Sequence, residues 1–501
     1  MDNRSQPYAA LYQTQFKWLR DCLDRNKSCV YGMQQGFAEL STIDDYQRRV
    51  PLNDYEAFRS KILQIETGST SILFSQDVVA FEKTSGTSAG NKWIPYTESS
   101  LIDFRRAIVP WLKRVCDQYE LAHGYVYWPL SPATRKQQYT TGKVPVGLQD
   151  AEYLGSEIHS FFTLMPAVPD WVGRIKSLGK WQLYTLYWLI RRHDLKLISV
   201  WSPTFFNVLL EAIDTHADQI LALYRDGGAH KKHRLSSDAK AYERLQLFLK
   251  EKNTALLWPQ LKLVSCWGDS TSRPFFQQLK NRLAHAHFEP KGLLLTEAII
   301  TVPDKDGLPL LASDSGFFEF ICAGVTYLAN ELQANTAYQV VVTTSGGLYR
   351  YCTQDMVRCE GYADGLPVLR FIGRSGIQSD LVGEKLSDAS VASCLNALPG
   401  FHLLSPWLDG VPRYLLVVDA TNVEDDLKLQ QKLEQCLMQN VQYQYATKMG
   451  QLGRLEVYRL NHALEKYIEC MLQQGLQFGD IKMPALTTNE NWMNLIKRHK
   501  K

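Results

Sequence analysis

An apolar run, a loop of small hydroxyl and glycine residues, and a second apolar run follow one another in Val78-Val79-Ala80-Phe81-Glu82-Lys83-Thr84-Ser85-Gly86-Thr87-Ser88-Ala89-Gly90-Asn91-Lys92-Trp93-Ile94-Pro95-Tyr96-Thr97. Thr84, Ser85, Thr87 and Ser88 set hydroxyls around Gly86 and Gly90, and glycine permits the positive-φ turns that aim backbone N–H groups inward. A loop so built grips an oxyanion, and phosphate is its natural guest. The stretch does not fit the Walker pattern G-x-x-x-x-G-K-[ST], because only Thr87-Ser88-Ala89 separate the glycines and Asn91 precedes Lys92. Gly86-Thr87-Ser88-Ala89-Gly90 does spell the G-x-S-x-G elbow of serine hydrolases, with Ser88 as nucleophile. That elbow needs a helix directly behind the serine, whereas Lys92-Trp93-Ile94-Pro95-Tyr96 is β-rich and a helix start comes only at Thr97-Glu98-Ser99-Ser100. The pattern therefore predicts a loop joining two strands. Taken alone it is as readily a surface turn as a site.

A chain of 501 residues exceeds one ordinary core, and 45% apolar with 11% aromatic residues supports burial in several units. The 55 basic and 52 acidic residues leave a formal charge of +3 and are spread along the chain, which excludes a nucleic-acid stripe. The basic end Lys497-Arg498-His499-Lys500-Lys501 reads as solvated. Ten cysteines occur with no C-x-x-C pair, and the polar N-terminus resembles no signal peptide, so a cytoplasmic home with most thiols packed as small apolar groups is expected. The run Leu183–Ile190 is far shorter than the roughly 20 residues of a spanning helix. No membrane span is expected, nor any oligomer beyond a monomer or weak homodimer.

Helical spacing appears at 6–26, from Asp54 to about Ile65, after Thr97, and at about 177–193 and 203–224; Lys196–Trp201 reads as a buried strand, and 225–240 as an exposed connection. From 255 the texture is alternating α/β. Leu261–Trp267 is a strand, and Gly292-Leu293-Leu294-Leu295-Thr296-Glu297 reads as another, placing Thr296 and Glu297 where ligands gather in open α/β sheets. A β-dominated part follows through Gly316–Ile321, Ala337–Thr344 and Leu348–Tyr351 to Arg374, and then a small α+β unit. The expected division is 1–374 and 375–501, with a hinge at Arg374-Ser375-Gly376.

Five stretches in order, Thr84–Gly90, Gly292–Glu297, Gly347-Leu348-Tyr349-Arg350-Tyr351 with Asp355, Phe371–Arg374 with Leu381–Leu386, and Gln477–Lys482, together resemble the Gretchen Hagen acyl acid amido synthetases of the auxin-responsive promoter family, in a bacterial-type form. That family lies within the firefly-luciferase-type adenylate-forming superfamily. The resemblance implies an α/β fold: a large N-terminal adenylation domain of mixed and parallel sheets with helices and a β-barrel-like part, and a small mobile α+β C-terminal domain. It implies ATP and Mg²⁺. A carboxylate is first adenylated with release of pyrophosphate, and the amine of an amino acid then takes the acyl group.

In this resemblance Thr84, Ser85, Gly86, Thr87, Ser88 and Gly90 hold the triphosphate, with Thr296 beside them. Glu297 engages Mg²⁺, Asp355 accepts hydrogen bonds from the ribose hydroxyls, Tyr349 covers the adenine or ribose, and Arg374 reaches the nucleotide from the joint. Lys482 stabilises charge building on the α-phosphate, with Lys385 as a secondary candidate. Displacement at phosphorus asks mainly for positioning and charge neutralisation. Two departures stand out: Gln354 where the family commonly has glycine before the aspartate, and Ala298 where glycine often follows the glutamate. Trp111, Phe161, Phe162, Trp201, Phe205 and Phe206 are candidates to line an acyl pocket, and equally candidates for ordinary core. Competing readings are an adenylating enzyme with a thiol acceptor such as coenzyme A, a serine esterase using Ser88, and a nucleotide-binding protein without turnover.

Overall fold

This computed structural model describes residues 8–84, 92–121, 124–128, 138–148, 150–155, 166–175, 177–376, 378–396, 398–474, 476 and 481–500. Ser85, Gly86, Thr87, Ser88 and Gly90 of the loop, together with Phe161 and Phe162, lie outside the described residues, and of Thr84 only the backbone is described.

The first helices are Ala9–Asn26, Val30–Gln35, Ile43–Arg49 and Tyr55–Glu66, and the last two begin at side chains that cap them. Thr42 forms a capping box with Asp45, and Asp54 accepts from the N–H of Ala57, satisfying donors that a helix start leaves open. Their apolar faces, including Trp18, Leu19, Leu23 and Phe58, share one core with Phe317, Phe318, Phe320, Tyr338 and Leu369. Gln15 fixes the register of that contact, donating to Gly316 O and accepting from Phe318 N.

The core partner is a seven-stranded antiparallel sheet in the spatial order Thr301–Pro303, Pro309–Leu311, Leu366–Arg374, Tyr351–Ala363, Thr336–Thr343, Phe317–Cys322, Val325–Leu328. The β-dominated part forms this sheet. A second layer is a four-stranded parallel sheet in which Tyr125–Tyr127, Leu195–Ser199, Leu263–Cys266 and His287–Pro290 lie side by side in chain order. Helices Leu178–Arg191 and Pro203–Asp226 cover it, and Tyr187, Ile190, Phe206 and Ile213 are buried against Ile198 and Val264. Phe205 and Phe206 belong to this core. The strands Val78–Thr84 and Lys92–Thr97 pair antiparallel, from Val78 opposite Thr97 to Thr84 opposite Lys92, so the hydroxyl-rich loop does join two strands.

Two readings need correction. Gly292–Glu297 is one arm and the tip of a tight hairpin and not a sheet strand: Leu294 bridges antiparallel to Ile299, Leu295 N–H donates to Ala298 O and Ile300 N–H to Leu293 O; Gly292 lies so close to Thr301 that a Cβ there would stand 1.9 Å from its carbonyl oxygen. The expected strand Leu348–Tyr351 starts only at Tyr351, because Arg350 adopts φ +48, which breaks the alternation of a strand.

The C-terminal part carries a three-stranded sheet, His402–Trp407, Arg413–Asp419 and Glu456–Leu460, with helices Asp388–Leu395, Asp426–Leu437, Ala463–Gln473 and Glu490–Lys500 around it. Cys394 and Cys436 form a disulfide that ties Asp388–Leu395 to Asp426–Leu437. The remaining eight cysteines are free, five of them buried.

Arg350 is 5% exposed and pairs through two 3.0 Å contacts with Glu319, which is 1% exposed, while donating to the carbonyls of Gln47 and Val50. Arg350→Met would leave Glu319 buried without its partner, so stability should fall by roughly 3–5 kcal/mol; the double variant Arg350→Met/Glu319→Gln should recover part of it in thermal unfolding.

Asp103 makes a second pin, accepting from Trp18 Nε1 at 3.2 Å and from Ser345 Oγ at 2.5 Å. Burial pushes its carboxyl up from 3.8 to about 6, with the Ser345 and Trp18 hydrogen bonds opposing. A carboxyl raised in the folded state favours folding fully below its unfolded value and loses that contribution as pH climbs through the folded one, here by roughly 3 kcal/mol in all. Asp103→Asn should therefore gain stability relative to the parent between pH 4 and pH 7, measured as paired melting temperatures (about pH 4 against about pH 7).

Candidate functional site

Strands Tyr351–Ala363 and Leu366–Arg374 pair so that Asp355 stands opposite Arg374. Tyr351, Thr353, Asp355, Val357 and Cys359 all point inward in the alternating burial of the first strand, so an aspartate occupies a row otherwise suited to apolar groups. One carboxylate oxygen accepts from Arg374 Nε at 2.8 Å, while the other, Oδ2, is buried with no hydrogen-bond partner among the described residues. Buried acceptors are almost always satisfied. An acceptor held ready in this way suits a hydroxyl-bearing ligand.

Gln354 creates this geometry through its backbone. Its φ of +66 makes a bulge, and its carbonyl receives Ser375 N–H at 2.7 Å. The usual glycine of the family would take that angle freely, so the departure costs strain but keeps the turn. Ala298 closes the Leu295–Ala298 turn and has no positive φ, so that departure is accommodated without strain. Gly373 (φ +143) lets helix Asp388–Leu395 approach the strand end, where a Cβ would meet Ala389 Cα at 2.6 Å.

Glu297 rides the turn that follows the parallel strand His287–Pro290. Its Oε1 accepts from Tyr351 OH at 3.4 Å, and Lys92 Nζ donates to the same hydroxyl at 3.2 Å. Burial first and the charge of Asp355 second push the Glu297 carboxyl up, while Arg374 and Lys92 draw it down. Thr296 is held by Tyr96, whose hydroxyl donates to its carbonyl at 2.6 Å. Lys92 and Tyr96 both lie on the strand leaving the hydroxyl-rich loop, so the hairpin of residues 78–97 is rooted beside Glu297 and Tyr351. A recess next to Glu297 is lined by Tyr96, Ser100, Asp103, Thr344 and Ser345.

The structure thus brings together Thr296, Glu297, Asp355 and Arg374. Tyr349 is elsewhere: it is fully buried, stacked on Tyr31 at 5.0 Å, and donates its hydroxyl to Leu73 O at 2.8 Å. The expectation that it covers adenine or ribose is corrected to a packing role, since the φ of Arg350 turns Tyr349 away from the row that Tyr351 begins. Lys482 is exposed between buried Ile481 and Met483. Its segment is fastened by Asp388, which accepts from the N–H groups of Ala485 and Leu486 and from the backbone of Arg374. Lys385 is exposed at φ +47 beside buried Glu384, which caps the turn by accepting from Leu381 and Val382. Sequence reading missed Lys92, Tyr351 and Asp388. The signal for Lys92 was its position at the exit of the loop; for Asp388 there was none.

Among the described residues no cluster of three or more His, Cys, Asp or Glu could hold a metal. A single hard carboxylate, Glu297, matches the way Mg²⁺ is bound beside phosphates, through one or two carboxylates and retained waters.

Three family models cover the chain: the GH3 family N-terminal domain over residues 8–287, the central domain over 309–374 and the C-terminal domain over 401–491. A probable indole-3-acetic acid-amido synthetase, GH3.6 of Oryza sativa subsp. japonica, is 28% identical over 28% of this chain and 32% of its own length, so that match spans about a third of the relative. The indole-3-acetic acid-amido synthetase GH3.3 of Arabidopsis thaliana is 21% identical over 96% of this chain and 90% of its own. The solved GH3.15 acyl acid amido synthetase superposes with a TM-score of 0.81 at 16% identity, covering 98% of this chain and 94% of that one. That likeness is one of fold; the match of the N-terminal family model over more than half of the sequence settles kinship, and this chain belongs to the GH3 family.

Proposed function

We propose that this chain is an ATP-dependent acyl acid amido synthetase, a carboxylate–amine ligase that forms AMP. The observation that carries the reading is the buried Oδ2 of Asp355, without a donor among the described residues and held beside Arg374 and next to Glu297. A ribose diol supplies the donors this oxygen lacks. In the first half-reaction a substrate carboxylate oxygen bonds to the α-phosphorus of ATP, the bridge to the β-phosphate breaks, and pyrophosphate leaves. In the second, the amine of an amino acid bonds to the acyl carbon, AMP departs with the carboxylate-derived oxygen, and the amine gives up a proton.

The chain's own groups divide this work. In this reading the loop 84–90 is the part of the chain that holds the phosphates, with Lys92 at its exit adding positive charge. Asp355 and Arg374 orient the nucleoside. Glu297 would hold Mg²⁺, which when bound neutralises phosphate charge. Residues 1–374 form the adenylation domain and 375–501 a mobile cap; Lys482 on the cap attends the first half-reaction and withdraws for the second, a switch of the hinge kind. The substrates are a small carboxylic acid and an amino acid, acting on a cytoplasmic monomer or weak homodimer with no nucleic-acid or membrane partner. No helix among the described residues is long and apolar enough to cross a membrane.

Acid-dependent exchange of pyrophosphate into ATP tests the reading, followed by product analysis with amino acids against coenzyme A. Amide formation is expected; a thioester as the sole product, or ester cleavage lost in Ser88→Ala without any need for ATP, would displace it. Asp355→Ala should raise KM for ATP and lower exchange by about 100-fold, the scale of one preorganised polar contact. In Asp355→Asn the charge that helps raise Glu297 is gone, so the acid limb of the residual pH profile should move to lower pH. Lys482→Ala should slow adenylation while leaving amide formation from supplied acyl-adenylate near the parent rate.

A further inference from the structure

Thr296 and Glu297 are the two residues between Leu295 and Ala298, whose backbones pair at the tip of the hairpin that carries the proposed metal carboxylate. The peptide joining Thr296 to Glu297 is held from both sides. Its carbonyl accepts from Tyr96 OH at 2.6 Å, and its N–H hydrogen-bonds the Glu297 carboxylate. Tyr96 is 7% exposed and stands on the strand that leaves the hydroxyl-rich loop, opposite Ala80 on the strand that enters it. Its ring meets that of Tyr153 edge-on, with centres 5.4 Å apart, and the Tyr153 hydroxyl hydrogen-bonds both Tyr96 and Glu82. Glu82 lies on the entering strand and also accepts Leu148 N–H at 2.6 Å.

The central peptide of a two-residue turn can rotate by about half a turn with small movement of its flanks, the change that separates a type I from a type II turn. At this tip such a rotation would take the N–H away from the Glu297 carboxylate and re-aim that side chain. Pairing of Leu295 with Ala298 does not engage the central carbonyl, so its direction is decided from outside the hairpin. The hydroxyl that meets it comes from 200 residues away in sequence. Phenylalanine would serve packing as well, whereas a buried phenol needs polar partners; Tyr96 finds Thr296 on one side and Tyr153 on the other. One row of hydrogen bonds therefore runs from Glu82 through Tyr153 and Tyr96 to Thr296. It begins on the strand entering the loop and ends beside Glu297, where Tyr96 also lines the recess.

We propose that Tyr96 is a positioning residue for adenylation: its hydroxyl locks the Thr296–Glu297 peptide and so holds the Glu297 carboxylate ready for the Mg²⁺ that comes with ATP, while Tyr153 and Glu82 fasten Tyr96 to the hairpin of the phosphate loop. The assignment rests on the amido synthetase reading and deepens it, naming the residues that fix the metal carboxylate against the loop.

The test uses the full-length protein and reads ATP binding by calorimetry, with Mg²⁺ and with a chelator in its place, alongside acid-dependent pyrophosphate exchange. In the parent, Mg²⁺ should tighten ATP binding. Tyr96→Phe removes one oxygen and should cut that tightening by about fivefold, the net worth of one hydrogen bond, with ATP affinity under chelation unchanged. The kcat for exchange should fall by a similar factor. Tyr153→Phe leaves Tyr96 its bond to Thr296 and should cost less, about twofold. The double variant Tyr96→Phe/Tyr153→Phe should match Tyr96→Phe alone, because Tyr153 acts through the Tyr96 hydroxyl. Two merely structural residues would not give that pattern, and Tyr153→Phe carries the test if Tyr96→Phe fails to fold. A parent-like Mg²⁺ effect in the single variants, equal losses with and without Mg²⁺, or additive losses in the double variant would overturn the positioning role while leaving the ligase reading intact. A Tyr96-dependent Mg²⁺ effect on ATP binding without exchange for any acid would do the reverse. A parent whose ATP binding ignores Mg²⁺ would overturn the role as well.

Discussion

The carboxylate of Asp355, closed in by the sheet and shared between a cation and an unfilled hydrogen-bonding position, is the constraint on which the site depends. Burying such a group is costly, and the cost is tolerable only where a fixed partner offsets it. Arg374 is that partner because the two residues face each other across adjacent strands. The second oxygen receives no donor from the described residues, a position that suits a hydroxyl of the proposed nucleotide. Its neighbours extend the logic: a chain of contacts runs from Lys92 through Tyr351 to Glu297, and the Glu297 carboxyl feels Asp355, Arg374 and Lys92 together.

Two left-handed residues near the start of one strand shape this arrangement. Arg350 at φ +48 sends its guanidinium into the core against Glu319, and Gln354 at φ +66 bulges the strand so that Asp355 meets Arg374. Neither conformation is favourable for a residue with a Cβ, and each persists because surrounding hydrogen bonds over-determine it. In Arg350 these are the carbonyls of Gln47 and Val50; in Gln354, the N–H and hydroxyl of Ser375. The second set joins the strand bulge directly to the proposed hinge.

The C-terminal part is stitched to that hinge by one buried carboxylate. Asp388 starts the helix that packs on Gly373 and accepts backbone N–H groups from both the Lys482 segment and Arg374. A residue that holds both ends of the joint is well placed to keep the cap in one orientation. The disulfide between Cys394 and Cys436 ties the same helix to its neighbour, an element the scattered cysteines gave no reason to expect.

Local chemistry determined much of this protein. Thr97 and Asp54 announced helix starts that the structure confirms, and the proline-closed β-rich run after Gly90 argued against a nucleophile elbow by predicting a loop between two strands. The family resemblance marked Asp355 as a site residue, whereas its place on the inward row of strand Tyr351–Ala363 is visible only in the structure. Tertiary structure decided the rest. Tyr349 and Tyr351 are two residues apart and look equivalent on paper, yet one joins the core with Tyr31 and the other reaches Glu297, because the backbone angle between them is set by distant Glu319, Gln47 and Val50. Gly292–Glu297 read as a sheet strand on its apolar run, whereas it doubles back on Ile299 and Ile300 as one arm of a tight hairpin. The contact of Tyr96 with Thr296 joins residues far apart in sequence, and no periodicity links them. Sequence specifies contacts a few residues long; which remote groups share a buried charge is settled only when the layers pack.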